Sequence, residues 1–241
     1  FYIKFKYIKG IPQKLFNRGI LFAISLFILQ LNYKIDIVFL ERMTDSYSVG
    51  IYTVGTNLAE LIWQLPSAIS MVLFAKSANS KTNEEAHNRS AKLLRMTLPL
   101  LFVFSVIFAL LSSPIVTLLY GEAFSKSAEV INILLPGVLV IVISKILHPD
   151  LAARGYPLYA LYVFIGPLII NIILNLIWIP IHGIYGAAWA STISYSIGGL
   201  AFGVVYAKKE GLKFTDLVIL KKEDLKLLIQ QLKKIVGKFD K

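Results

Sequence analysis

Two runs of polar residues recur at helical spacing inside long apolar segments, and they are where chemistry could reside. The first holds Lys14, Arg18, Ser25, Asn32 and Asp36. At about 100° per residue these fall within about 40° of one another around a helix. The second holds Thr53, Asn57, Glu60, Gln64 and Ser67, spaced by four, three, four and three, which is one face of a helix. An ionisable group at membrane depth is costly and marks a pathway, a relay or a structural pair. Asp36 and Glu60 each require a proton, a cation or a base on another helix, which makes both candidates for ion coupling. Arg18, Asn32, Asn57 and Gln64 are the candidate substrate-binding groups along the same stripes. Structural alternatives stay open for each: Arg18 also suits an interfacial anchor, and the two acids also suit pairing within a bundle. Lys34 lies nearly opposite the first stripe and is expected to snorkel towards the nearer membrane surface. Asn171 and Asn175, one turn apart, fit interhelical hydrogen bonding or ligand contact.

Other chemistries lack their residues. There is no cysteine, hence no disulfide framework, thiolate metal site or thiol nucleophile. His87, His148 and His182 are too widely spaced for a local metal motif. Neither a Gly-rich phosphate cradle followed by Lys nor a G-x-S-x-G elbow occurs. The acidic pairs Glu84–Glu85 and Glu223–Asp224 lie in charged segments and read as solvated. No metal or organic cofactor is expected, apart from a coupling Na+ or H+.

The elements that must carry these residues are membrane helices. Of 241 residues, 56% are hydrophobic and 16% charged, and mean hydropathy is +0.69, well beyond a soluble domain. Six stretches reach the roughly 20 residues needed to span a hydrocarbon core: about 15–40, 49–75, 93–113, 128–148, 157–180 and 183–207. Pro66, Pro136 and Pro167 fall inside them, as membrane helices tolerate; Pro66 closes the second stripe and suits a hinge. Period-two alternation is absent, so the expected class is an all-α integral membrane protein, a six-helix bundle. In the sixth span Gly186, Ala190, Ser194 and Gly198 form a small-residue ladder for close helix approach.

Charge sets the orientation. Lys4, Lys6, Lys9, Lys14 and Arg18 precede the first span, and Lys76, Lys81, Arg89, Lys92 and Arg95 join the second to the third. Lys145 and Arg154 flank the fourth-to-fifth connection, and ten lysines follow from Lys208 onward. The opposite side carries only Arg42 and Lys126. The positive-inside rule then puts both termini in the cytoplasm, in the cytoplasmic (inner) membrane. The net charge of +11 is thus a topology signal and not a nucleic-acid surface. Residues 208–241 form a basic tail, with Leu225, Leu228, Leu232 and Val236 at helical spacing, suited to an anionic leaflet or to the bundle's inner end.

In order along the chain, "YKIDIVFLERMTDSYSVGIYTVGTNLAELIWQLPSAISMVLFAKSA", "SSPIVTLLYGEAFSKSAEVINILLPG", "LAARGYPLYA" and "NIILNLIWIPIHGIYGAAWASTISY" resemble the carboxy-terminal half of the polysaccharide-biosynthesis flippases. These are oligosaccharide-lipid exporters related to multidrug and toxin extrusion transporters. The pattern departs at Ala75, where the family often has Pro. The resemblance implies one lobe of a two-lobed transporter that moves undecaprenyl-pyrophosphate-linked oligosaccharide by alternating access, with no enzymatic turnover. It implies a lipid-linked glycan substrate, surrounding membrane lipids and an amino-terminal lobe outside this chain, which begins at Phe1. In that setting Arg18 would meet the pyrophosphate, and Asp36 and Glu60 would bind the coupling ion. A multidrug or cell-wall-precursor-lipid exporter is the alternative, followed by an integral-membrane glycan enzyme, which the short outer loops disfavour.

Overall fold

Asp45 and Thr82 show how the long helices begin. Asp45 accepts from the Ser48 amide at 3.0 Å and from its hydroxyl at 2.8 Å; Thr82 accepts from the Glu85 amide at 3.2 Å. Each satisfies amides that a helix start leaves open, and Glu84 and Glu85 sit in the first turn, where negative charge is favoured. The computed structural model describes residues 11–224, and their side chains apart from those of Ile11, Pro12, Lys14, Leu15, Asn17, Arg18, Leu21 and Phe22.

Six long helices follow in order: α1 Ile11–Met43, α2 Ser46–Ala78, α3 Asn83–Tyr120, α4 Ser127–Ala153, α5 Leu158–His182 and α6 Ile184–Glu210. A 3-10 turn at Glu122–Phe124 joins α3 to α4, and a short α7, Phe214–Val218, follows α6. The fold is all helical among the described residues, and all six long helices are long and apolar enough to cross a membrane. The helices outrun the apolar stretches, most of all α3. Its cap at Thr82 puts Arg89, Lys92 and Arg95 on the helix rather than in a loop. Likewise α4 runs on through Pro149 to Ala153, so Lys145, already within the expected span 128–148, stands well before its end. Pro66 sits within an unbroken α2. Beside Pro136, the Thr192 hydroxyl donates to the Ile133 carbonyl at 2.7 Å, the kind of side-chain compensation a membrane proline needs.

Packing radiates from α4, which is the most buried of the six. On it lie α2, α3 and α6; α5 packs on α6, and α1 on α5. The small-residue ladder of α6, and Gly199 beside it, make these contacts close. A Cβ on Gly199 would stand 2.2 Å from the Val140 carbonyl oxygen of α4, and one on Gly186 2.4 Å from the Trp178 carbonyl oxygen of α5. On the facing side, Gly137 of α4 lies against the Thr192 backbone. Large apolar side chains such as Phe102, Leu110 and Leu118 of α3 point outward, as lipid-facing surface does. Of the basic tail, the stretch with Leu225, Leu228, Leu232 and Val236 lies outside the described residues.

Candidate functional site

The two polar stripes look in different directions. The stripe of α1 is turned into the bundle. Asn32 is fully buried and donates to Ser194 Oγ at 3.0 Å, and Ser194 in turn donates to the Pro167 carbonyl at 3.0 Å. Asp36 is also fully buried. It accepts from the Tyr52 hydroxyl, from Ser191 Oγ at 2.8 Å and from the Ile37 amide at 2.9 Å. The network continues into α5: Asn171 Nδ2 donates to Ser191 Oγ at 3.4 Å, and Asn175 Nδ2 donates to Asn171 Oδ1 at 2.8 Å. The Asn175 Oδ1 atom is buried with no hydrogen-bond partner among the described residues. Four helices thus share one buried hydrogen-bonded string with a carboxylate near its middle. Of Arg18 the structure gives the place on α1, eleven residues before Leu29 and so on the same helical face, about 16 Å along the axis.

The stripe of α2 faces out. Asn57 and Gln64 are exposed, and Thr53 and Ser67 half-buried. Between them Glu60 accepts from Lys34 Nζ at 3.0 and 3.1 Å. The expectation that Lys34 snorkels to the membrane surface is therefore corrected: it crosses to α2 and forms the base partner of Glu60. Helical angle alone could not show this, because it reports which side of α1 Lys34 leaves from and not what stands beside it.

Sequence reasoning missed a second polar cluster, at the end of the lobe where α2, α4 and α6 finish. Asp150 is fully buried and accepts from Ser77 Oγ at 2.5 Å, Tyr206 Oη at 2.6 Å and Arg154 Nη2 at 2.6 Å. Arg154 also donates to Glu210 at 3.0 Å, whose carboxylate lies 3.0 Å from His87 Nδ1. These bonds tie α2, α3, α4 and α6 together. The only sequence signal is the four-residue spacing of Asp150 and Arg154, which many solvated helices share. Asp224, read as solvated, is buried instead and pairs with Arg95, whose Nε donates at 2.6 Å; Arg95 Nη1 also donates to the Asp216 carbonyl at 2.6 Å. Burial pushes the Asp224 carboxyl up, but the bonds from Arg95 and the Lys221 amide outweigh it and hold it below the ordinary value.

Residues 3–235 match the family described as lipid II flippase MurJ. The chain belongs to this family. A curated relative, the probable low-salt glycan biosynthesis flippase Agl15 of Haloferax volcanii, is 26% identical over 158 residues, covering 64% of this chain and 33% of its own. Among solved structures, an outward-facing multidrug-resistance MATE transporter of the MOP superfamily superposes with TM-score 0.65 at 20% identity, over 92% of this chain and 53% of its own. A MOP-superfamily transporter from Pyrococcus furiosus, described as having a binding pocket of reversed polarity, gives TM-score 0.60 at 21% identity, over 91% and 51%. The chain thus spans about a third of its curated relative and about half of each solved structure. The family is one of membrane flippases rather than enzymes, and six helices long and apolar enough to cross a membrane fit it.

Proposed function

We propose that this chain is one lobe of a flippase that carries undecaprenyl-pyrophosphate-linked oligosaccharide across the cytoplasmic membrane by alternating access. It would work with an amino-terminal lobe, both ends of the present chain lying in the cytoplasm. The observation that carries the reading is the outer face of α2. Exposed Asn57 and Gln64 flank the Lys34–Glu60 pair on a lobe whose α3 turns large apolar side chains outward. Such a face is unfavourable against lipid and fits a water-filled cavity shared between two lobes. On this reading Asn57 and Gln64 meet the glycan, and Arg18 meets the pyrophosphate, which a guanidinium binds in a bidentate way. Glu60 and the buried Asp36 respond to the coupling ion, Na+ or H+, with Asn32 holding α1 against α6 beneath them.

A second reading, transport of a cell-wall precursor lipid, is favoured by the family's own description as lipid II flippases; the Haloferax relative, named for glycan biosynthesis, favours the first. Complementation by the full-length protein in two strains, one lacking a polysaccharide flippase and one depleted of its lipid II flippase, separates them. In the rescued strain, Arg18→Ala and Arg18→Lys should each reduce flipping at normal abundance. Glu60→Gln and Asp36→Asn should shift its dependence on pH or sodium. Wild-type behaviour of all four variants would make these residues packing and anchoring groups.

A further inference from the structure

The segment that follows α6 is fastened at a depth that the outer surfaces of its neighbours define. On α3 the exposed side chains change from Arg89 and Lys92 to Leu100 and Phe102. The boundary between water and hydrocarbon therefore crosses this helix between positions 92 and 100. Arg95, inside that interval, holds the segment through its bonds to Asp224 and to the Asp216 carbonyl. On α6 the exposed residues change from Leu200 and Val204 to Lys208 and Lys209. The Phe214 ring folds back to this same level, where a Cβ on Gly203 would stand 2.6 Å from it. Residues 212–224 thus run as a strap from α6 to α3 along the polar–apolar boundary, and not out into water.

The strap has two faces. Leu217 and Asp224 are buried, whereas Lys213, Ile219, Lys221, Lys222 and Glu223 are exposed. Lys221 bonds Asp216 at 3.3 Å; Lys213 and Lys222 form no salt bridge among the described residues. Past the fastened end at Asp224 the basic excess continues, since residues 225–241 carry five lysines against one aspartate. Ile219 is 58% exposed, which is unfavourable in water and favourable where headgroups meet acyl chains. A soluble acidic partner would answer the lysines and leave Ile219 in water, whereas a phospholipid surface answers both. We propose that this strap seats on an anionic phospholipid surface, with Lys213, Lys221 and Lys222 over headgroup phosphates and Ile219 at the level of the glycerol. Because the strap fastens α3 to α6, lipid that favours the seated form stabilises that fastening. Which leaflet is meant rests on the orientation proposed above; the attraction to anionic lipid does not.

The test uses the full-length protein, freed of any other cysteine, with Ile219→Cys carrying an environment-sensitive fluorophore. It is placed in nanodiscs of phosphatidylcholine, alone or mixed with phosphatidylglycerol. Both faces of a disc have the same lipid, so the outcome is independent of orientation in the cell. Emission should move to shorter wavelength in the anionic discs and return as salt is raised to about 1 M, where the Debye length falls to about 3 Å. Lys222→Gln should leave about fivefold less of the shifted form at a given phosphatidylglycerol content, the scale of one lysine near a charged surface. A fluorophore at Asn88→Cys, exposed on α3 about 10 Å before Arg95, should emit alike in both discs. Amide exchange of α7 in the unlabelled protein should slow in the anionic discs, which keeps the test open should the label disturb the strap. Equal emission and equal exchange in the two kinds of disc overturn the proposal. A shift in anionic discs that survives Lys213→Gln/Lys221→Gln/Lys222→Gln overturns the strap as the contact and assigns it to residues 225–241. An equal shift on adding polyglutamate to neutral discs overturns the lipid surface in favour of an acidic protein partner.

Discussion

Asp36 and Glu60, two acids on polar stripes of adjacent helices, sit in opposite surroundings. Asp36 is enclosed by hydroxyls of Tyr52 and Ser191 with no base in contact among the described residues, whereas Glu60 has its base in Lys34, whose side chain is 43% exposed. An exposed pair of that kind contributes little stability, about 1 kcal/mol or less, so its place on the outer face of α2 matters more than its strength. Asp224 belongs to a third class, an acid that docks a segment. Its carboxyl is held below the ordinary value, where burial that raises it is outweighed by Arg95 and Lys221. A lowered carboxylate stabilises the docked form fully above the ordinary pKa of about 4, and that stabilisation is lost as pH falls through the lowered value. Hydrogen exchange of α7 amides, corrected for intrinsic rates, should therefore be protected at neutral pH and accelerate below about pH 4. Asp224→Asn should reproduce the acid behaviour at neutral pH, because it leaves Arg95 buried without its partner, at a cost of about 3 kcal/mol. Protection unchanged by both treatments would mean that Phe214 and Leu217, not the ion pair, hold this segment.

At the scale of elements, α6 depends on its glycines for approach rather than for turning. Gly199 has no room for a methyl group, since a Cβ would overlap a backbone carbonyl of α4, and a backbone atom cannot swing aside as a side-chain tip can. Gly199→Ala should cost about 3 kcal/mol or more, forcing α6 away from α4. Gly50→Ala, in α2 with only an ordinary 3.8 Å contact to the Phe124 ring, should be neutral or gain roughly 0.5–1 kcal/mol from helix propensity. Thermal unfolding of the two variants in detergent, read by size-exclusion of the folded fraction, compares them directly. Similar midpoints would show that α4 and α6 slide to accommodate the methyl.

For the whole molecule, the distribution of charge is the argument for orientation. Arg42 and Lys126 stand alone at the end where α2 and α4 begin, against a base-rich opposite end. With no native cysteine, single cysteines report accessibility cleanly. Ser46→Cys and Ser125→Cys, both exposed, should label from outside intact cells. Asn83→Cys and Asn88→Cys, exposed at the other end, should label only after permeabilisation. The reverse pattern would invert the lobe in the membrane and remove Arg18 from the cytoplasmic mouth assigned to it.

Composition and spacing were enough for the class of molecule. Apolar runs of about 20 residues leave a chain no option in lipid but to satisfy its backbone within helices, and this constraint is local. The α6 ladder was legible for the same reason, since glycine at four-residue spacing on an apolar helix has few uses besides close packing. What the tertiary structure decided is which polar groups meet. Helical periodicity assigns a face but not a neighbour, so Lys34 reads as a snorkelling anchor until α2 is seen beside it. By the same rule Lys145 reads as a base near the inner end of the fourth span until α4 is seen to set it over Tyr33 and Trp63. Asp150, Arg154, Glu210 and His87 come from three helices and a connection far apart in the chain. Their pairing depends on where those helices end against one another, a distance that no single segment encodes.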